Sequence, residues 1–329
     1  MARPRFLPDN FMLLLLATVA LASLLPARGA AAEGVGAATT VAVSLLFFLH
    51  GARLSRAAVW AGITHWRAHL MVVGATFVLF PLLGWGLRPL LQPLVTPQLY
   101  VGVLFLCALP STVQSSIAFT AIARGNMPAA VCAASASTLM GIVLTPLLVG
   151  LLLSRGAALD DPLAAVGRIA LQLLLPFVAG HLLQPRIGGF VKRHAALLKV
   201  VDQGSILLVV YGAFSHAVLG GLWSALPLPA LGGLAIVCAL LLGLVMSLLM
   251  WSCRRLGFST EDEITIVFCG SKKSLVSGVP MANVLFPASV AGAIVLPLML
   301  FHQMQLMVCA VVARRYAARP AAPQTGAPV

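Results

Sequence analysis

The chain has 329 residues, of which 60% are hydrophobic and 9% charged. Soluble domains carry about 25% charged residues, so the composition excludes an ordinary water-soluble enzyme and leaves no polar stretch for a second, aqueous domain. The net charge of +13 does not mark a nucleic-acid binder, because the basic residues stand at the ends of apolar runs, where membrane topology places them.

Apolar runs long enough to cross a bilayer as a helix, about 20 residues each, fall at 8–26, 35–53, 69–92, 99–123, 127–153, 163–185, 200–222, 228–253, 264–286 and 289–312. They are continuous, unlike the alternating strands of a membrane β-barrel. The expectation is an all-α polytopic membrane protein with ten transmembrane helices. With the N-terminus in the cytoplasm, its cytoplasmic ends hold Arg3, Arg5, Arg53, Arg56, Arg67, Arg124, Arg186, Lys192, Arg193, Lys199, Arg254, Arg255, Arg314, Arg315 and Arg319. The opposite side holds Arg28, Arg88, Arg155 and Arg168. This bias predicts cytoplasmic N- and C-termini. The opening MARPRF, its apolar run and ARGAAA also resemble a cleaved signal peptide. The run is read as the first helix because its removal breaks the symmetry described next.

CALPSTVQSS (Cys107 to Ser116) matches CGSKKSLVSG (Cys269 to Gly278), pairing Cys107 with Cys269, Thr112 with Ser274 and Ser115 with Ser277. The two stretches lie in the fourth and the ninth run. Halves of five spans each have opposite orientations, so the match implies an inverted repeat, with 1–154 as one half, 155–315 as the other and 316–329 as a disordered Pro/Ala tail. Pro110 and Pro280 are expected to interrupt the two helices. Interruptions at equivalent places of inverted halves point to a transporter's substrate site near the midplane.

Within the ninth run stand two adjacent lysines, Lys272 and Lys273, among Gly270, Ser271, Ser274, Ser277 and Gly278. A charge at mid-bilayer costs about 3 kcal/mol or more, so such residues usually face a bundle interior or a wet cavity. With no acidic residue in any central span and Asp202 near a span end, a charged lysine favours an anionic substrate. Its ammonium can also stand in for a bound cation, bonding to carbonyls at the helix breaks and to hydroxyls such as Ser115, Ser116 and Ser274. Successive helical residues point about 100° apart, so one lysine at most faces a given site; the sequence leaves open which. A lysine that merely bonds backbone at the break is the structural alternative.

Thr112 and Gln114 read either as solute ligands or as interhelical hydrogen bonds. His302, Gln303 and Gln305 are polar for a central helix, and packing hydrogen bonds are the simpler reading; Gln303 is kept as a candidate ligand. His181 and His216 have weaker claims. Glu261, Asp262 and Glu263 read as a helix N-terminus complementing its dipole, and Arg124-Gly125-Asn126 as a tight turn. Six cysteines without metal-type spacing read as small buried hydrophobes.

The runs SSIAFTAIARGNMPAAVCAASASTLMGIVLTPLL (Ser115 to Leu148) and FCGSKKSLVSGVPMANVLFP (Phe268 to Pro287) resemble the bile acid:sodium symporter family, and within it the sodium/bile acid cotransporter 7-like branch. The resemblance covers nearly the whole chain. It implies a panel of spans one, two, six and seven and a core of spans three to five and eight to ten. Spans four and nine are then discontinuous and cross near the membrane centre, with an organic anion bound between core and panel. Sodium-coupled members offer a Ser-Asn pair in span four, Ser and Thr in span five, and a Glu followed by Gln-Asn in span nine. Here the matching positions are Ser116-Ile117, Ala130 and Ala134, Ser271, and Leu275-Val276, with Ser135, Ser137 and Thr138 nearby. The carboxylate is absent, so no metal ligand set is assigned.

The leading expectation is a secondary transporter of a small organic anion in a bacterial inner membrane, working by alternating access and coupled to Na+ or H+. Its candidate site residues are Lys272, Lys273, Ser271, Ser274, Ser277, Thr112, Gln114, Ser115, Ser116, Ser135, Thr138 and Gln303. Alternatives are a cation/proton antiporter-like carrier and a non-transporting membrane regulator with this fold. An enzyme is not expected, since neither a nucleophile with a base nor a Walker-type motif is present. No cofactor beyond the coupling ion is implied. Substrate identity and oligomeric state are not legible.

Overall fold

The computed structural model describes residues 10–53, 65–153, 170–225 and 227–319. The described residues are helical, with no strand among them. In chain order the main helices are α1 (Asn10–Leu24), α2 (Ala30–Arg53), α3 (Trp66–Gly86), α4 (Pro97–Ala108), α5 (Gln114–Ile122) and α6 (Met127–Leu153). After these come α7 (Leu175–Arg193), α8 (Ala195–Leu219), α9 (Leu228–Arg255), α10 (Thr260–Gly270), α11 (Leu275–Leu285) and α12 (Ala288–Ala317). The positions Arg3, Arg5, Arg56, Arg155 and Arg168, the join at 154–155 and the tail beyond Arg319 lie outside the described residues.

Six of these helices, α2, α3, α6, α8, α9 and α12, are long and apolar enough to cross a membrane, as a polytopic membrane protein requires. Their outward faces are apolar as well: Val143, Leu147 and Leu151 of α6, and Leu240 and Leu244 of α9, are exposed. Such surface needs lipid rather than water against it.

Two features set the packing. Helix α2 lies along α7 through facing glycines. A Cβ on Gly51 would overlap the Phe177 carbonyl, and one on Gly180 would overlap the Phe48 carbonyl. Small residues of this kind let backbones approach where no hydrophobic effect drives helices together. Helices α1 and α2 also pack on α8, while α4, α9 and α11 pack on α12, and α10 on α3, α5, α6 and α9. Helix α8 meets α11 and α12, so the first group touches the second along that line.

The second feature is a pair of non-helical breaks, 109–113 between α4 and α5 and 271–274 between α10 and α11. Pro110 lies in the first break. Pro280, expected to make the second, instead lies inside α11. The second break is held by side chains: Ser274 is the N-cap of α11, its hydroxyl accepting from the Ser277 amide at 3.1 Å. Gln305 of α12 takes both backbone groups of Lys273, accepting from its N–H at 2.9 Å and donating to its carbonyl at 3.0 Å. An amide side chain thus replaces the backbone partners that Lys273 would find in a continuous helix.

Candidate functional site

A broken helix leaves unpaired carbonyls at its C-terminal half and unpaired amides at the next N-terminus. Around these breaks the carbonyls are exchanged between segments. Ser111 of the first break donates its hydroxyl to the Cys269 carbonyl of α10, and the Ser116 hydroxyl donates to the Phe268 carbonyl at 2.9 Å. In return the Ser274 amide donates to the Pro110 carbonyl at 2.9 Å. The Ala108 carbonyl accepts from the Thr145 hydroxyl of α6 at 2.8 Å. The two breaks therefore meet, and each satisfies the other.

Both lysines take part. Each is fully buried. The Lys273 ammonium donates to three carbonyls, those of Leu109 at 2.7 Å, Thr76 at 2.8 Å and Cys107 at 2.9 Å. An ammonium has three donors, so all are used. Two of the carbonyls belong to the negative C-terminal end of α4. The third is freed by a π-helical turn in α3: the Phe80 amide reaches back to Ala75, and Pro81, next in line, has no amide to offer. The Phe80 ring lies 4.1 Å from the ammonium. Lys272 is held differently. Its ammonium donates to the Ser115 carbonyl at 2.8 Å and lies 4.0 Å from the Phe119 ring centre and 5.4 Å from that of Phe268, both within cation–π range.

A cavity of about 510 Å³ opens beside the breaks, large enough for a small organic solute. Thr112 lines it from the first break, Gln114 and Ser115 from the start of α5, Ser135 and Thr138 from α6, and Ser274 and Ser277 from the N-cap and first turn of α11. Ser116 and Ser271 do not. They are buried, the Ser271 hydroxyl donating to the Val267 carbonyl in the last turn of α10 at 2.6 Å. Neither lysine lines the cavity. Of the polar pair on α12, His302 lines it and Gln303 does not. The lysines are instead buried in the packing at the two breaks, and their bonds go to backbone carbonyls rather than to the hydroxyls of Ser115, Ser116 and Ser274.

Helices α2 and α8 supply residues that the sequence reading had not singled out as ligands: His50 and Arg53 from α2, and Lys199, Asp202 and Gln203 from α8. In the sequence, Arg53 and Lys199 read as topology alone. Arg53 donates to an Asp202 oxygen at 2.5 Å, while the other Asp202 oxygen is buried without a partner among the described residues. Asp202 is the sole carboxylate among the described lining residues, and it already has its cation. The helices α5 and α11 direct their positive N-termini at the same space, and the start of α5 has no side-chain cap. Two helix N-termini and Lys199 thus meet at the cavity, with the Arg53 charge balanced by Asp202.

Comparison with known proteins places the chain among membrane transporters. The model of the SBF-like CPA transporter family matches residues 9–318. "Uncharacterized protein PA2026" of Pseudomonas aeruginosa is 62% identical, over 97% of this chain and 96% of its own length. "Putative symporter YfeH" of Escherichia coli is 56% identical, over 94% and 92%. "Sodium/bile acid cotransporter 7" of Rattus norvegicus is 25% identical, over 82% and 79%.

Proposed function

Since the chain belongs to the SBF-like CPA transporter family, a family of membrane transporters rather than enzymes, we propose that it is a secondary transporter of a small organic anion. The observation that carries this reading is the cavity lining: two helix N-termini and Lys199, with the one described lining carboxylate, Asp202, already paired with Arg53. A carboxylate, sulfonate or phosphate ester entering it meets donors and positive charge, with no unpaired lining carboxylate among the described residues to repel it.

In this reading the ten spans form two inverted halves, 1–154 and 155–315. Helices α1, α2, α7 and α8 make the panel, and the remaining helices make the core. The basic residues Arg53 and Lys199 stand at cytoplasmic ends, so the cavity faces the cytoplasm. Movement of core against panel would carry it to the other side of a bacterial inner membrane. The coupling ion, Na+ or H+, would act on the core near the breaks.

The test is thermal unfolding of the purified protein against a panel of mono-, di- and tricarboxylates, sulfonates and organic phosphates, with Lys199→Ala beside it. One anion class is expected to raise the unfolding temperature, less so in the variant, and that labelled anion should accumulate in proteoliposomes. Absence of any anion response together with absence of uptake would sink the proposal.

A further inference from the structure

We propose that the three-carbonyl cage around the Lys273 ammonium is a monovalent-cation site with a tethered occupant, so that the crossing of the two breaks is assembled without a free cation there. Three oxygens from two segments converge on one point: Thr76 from the π-helical turn of α3, and Cys107 and Leu109 from the end of α4, all at 2.7–2.9 Å from the ammonium. The lysine itself arrives from the other break. Backbone carbonyls converging in a dry interior are a costly arrangement unless a donor or cation holds them together. Hard cations such as Na+ take oxygen ligands of this type.

The cage does not depend on the lysine for its shape. Thr76 is set free by the Phe80 amide bonding to Ala75 and by Pro81. The Leu109 and Cys107 carbonyls are placed by α4 and by neighbouring bonds, Ser274 to Pro110 and Thr145 to Ala108. The lysine backbone is held separately by Gln305. Removing the side chain beyond Cβ therefore leaves the ligands in place and takes away the charge. Lys272 does not duplicate this arrangement, having one carbonyl and two aromatic faces.

The proposal bears on the coupling left open above, but its test reads stability rather than transport, so its failure and that of the anion-transport reading are distinguishable. Purified wild type and Lys273→Ala are unfolded thermally in choline, sodium and n-propylammonium chlorides at equal ionic strength. Propylammonium is the portion of the side chain that the substitution removes. In choline, Lys273→Ala is expected to melt several degrees below wild type. Sodium or propylammonium should recover most of that loss while leaving wild type little changed. A variant that neither cation restores beyond the wild-type response overturns the proposal. Should Lys273→Ala fail to fold, Lys273→Met decides, since its chain fills the cage without charge: a lower melting temperature that no cation alters is expected, and a wild-type melting temperature overturns the idea.

Discussion

The Ser274 amide donates to the Pro110 carbonyl across 2.9 Å, joining two breaks that lie 164 residues apart in the chain. The same two segments carry parallel hydroxyl pairs three residues apart, Thr112 with Ser115 at 2.7 Å and Ser274 with Ser277 at 3.2 Å. In α11 the first of the pair also caps the helix. Replacing such a cap with Ala costs about 1 kcal/mol, so Ser274→Ala should lower stability by that order. Denaturation of the purified variant checks it, and Ser277→Ala, which keeps the amide bond to Ser274, should cost less.

Gln305 and Gln303 are neighbours in sequence with opposite expected behaviour. Gln305 satisfies both backbone groups of Lys273 and bonds His302 at 2.9 Å. Gln305→Leu strips two buried backbone groups, each worth about 1–3 kcal/mol when left unpaired. The Gln303 amide oxygen is buried with no partner among the described residues, so Gln303→Leu relieves a desolvated group and should be neutral or stabilising. Comparing the two unfolding temperatures tests the assignment; equal losses would contradict it.

How far the sequence carried is clear from particular residues. Lys272 and Lys273 announced a polar break because charge inside an apolar run has few physical explanations. The pairing of Thr112 with Ser274 and of Ser115 with Ser277 was visible as a short match. Pro280 misled, because a proline near a break need not make it: Gln305, 32 residues on, supplies partners that no local pattern shows. Arg53 and Lys199 were legible as topology but not as cavity lining, since which spans face one another is a tertiary fact. The freed Thr76 carbonyl had a signal in Pro81, one turn later.

The Arg53–Asp202 pair should be asymmetric. The Asp202 side chain is 9% exposed and that of Arg53 30%. Arg53→Ala strands a buried carboxylate that has one oxygen already unpartnered, a situation that costs up to about 3–5 kcal/mol in a fully buried pair and less where water reaches the site. Asp202→Ala leaves an arginine able to reach water. Arg53→Ala is therefore expected to be the more destabilising, and the double variant milder than the two losses added. Unfolding measurements on the three proteins decide it, and a larger loss in Asp202→Ala would reverse the reading.

The α2–α7 contact should tolerate no side chain at its glycines. A Cβ on Gly51 or Gly180 meets backbone carbonyls, which cannot rotate aside as a flexible side chain does. Overpacking within a well-filled interior costs about 1–3 kcal/mol and sometimes more, and here the helices must separate along their whole line of contact. Gly51→Val and Gly180→Val should each reduce the yield of folded protein sharply. Gly74, on α3 with open space around its Cβ position, is the control: Gly74→Ala should leave yield and unfolding temperature unchanged or slightly improved, since Ala favours a helix interior by about 1 kcal/mol. Size-exclusion profiles of the detergent-solubilised variants separate the cases, and normal monodisperse protein from Gly180→Val would show that α2 and α7 do not approach as closely as their facing glycines imply.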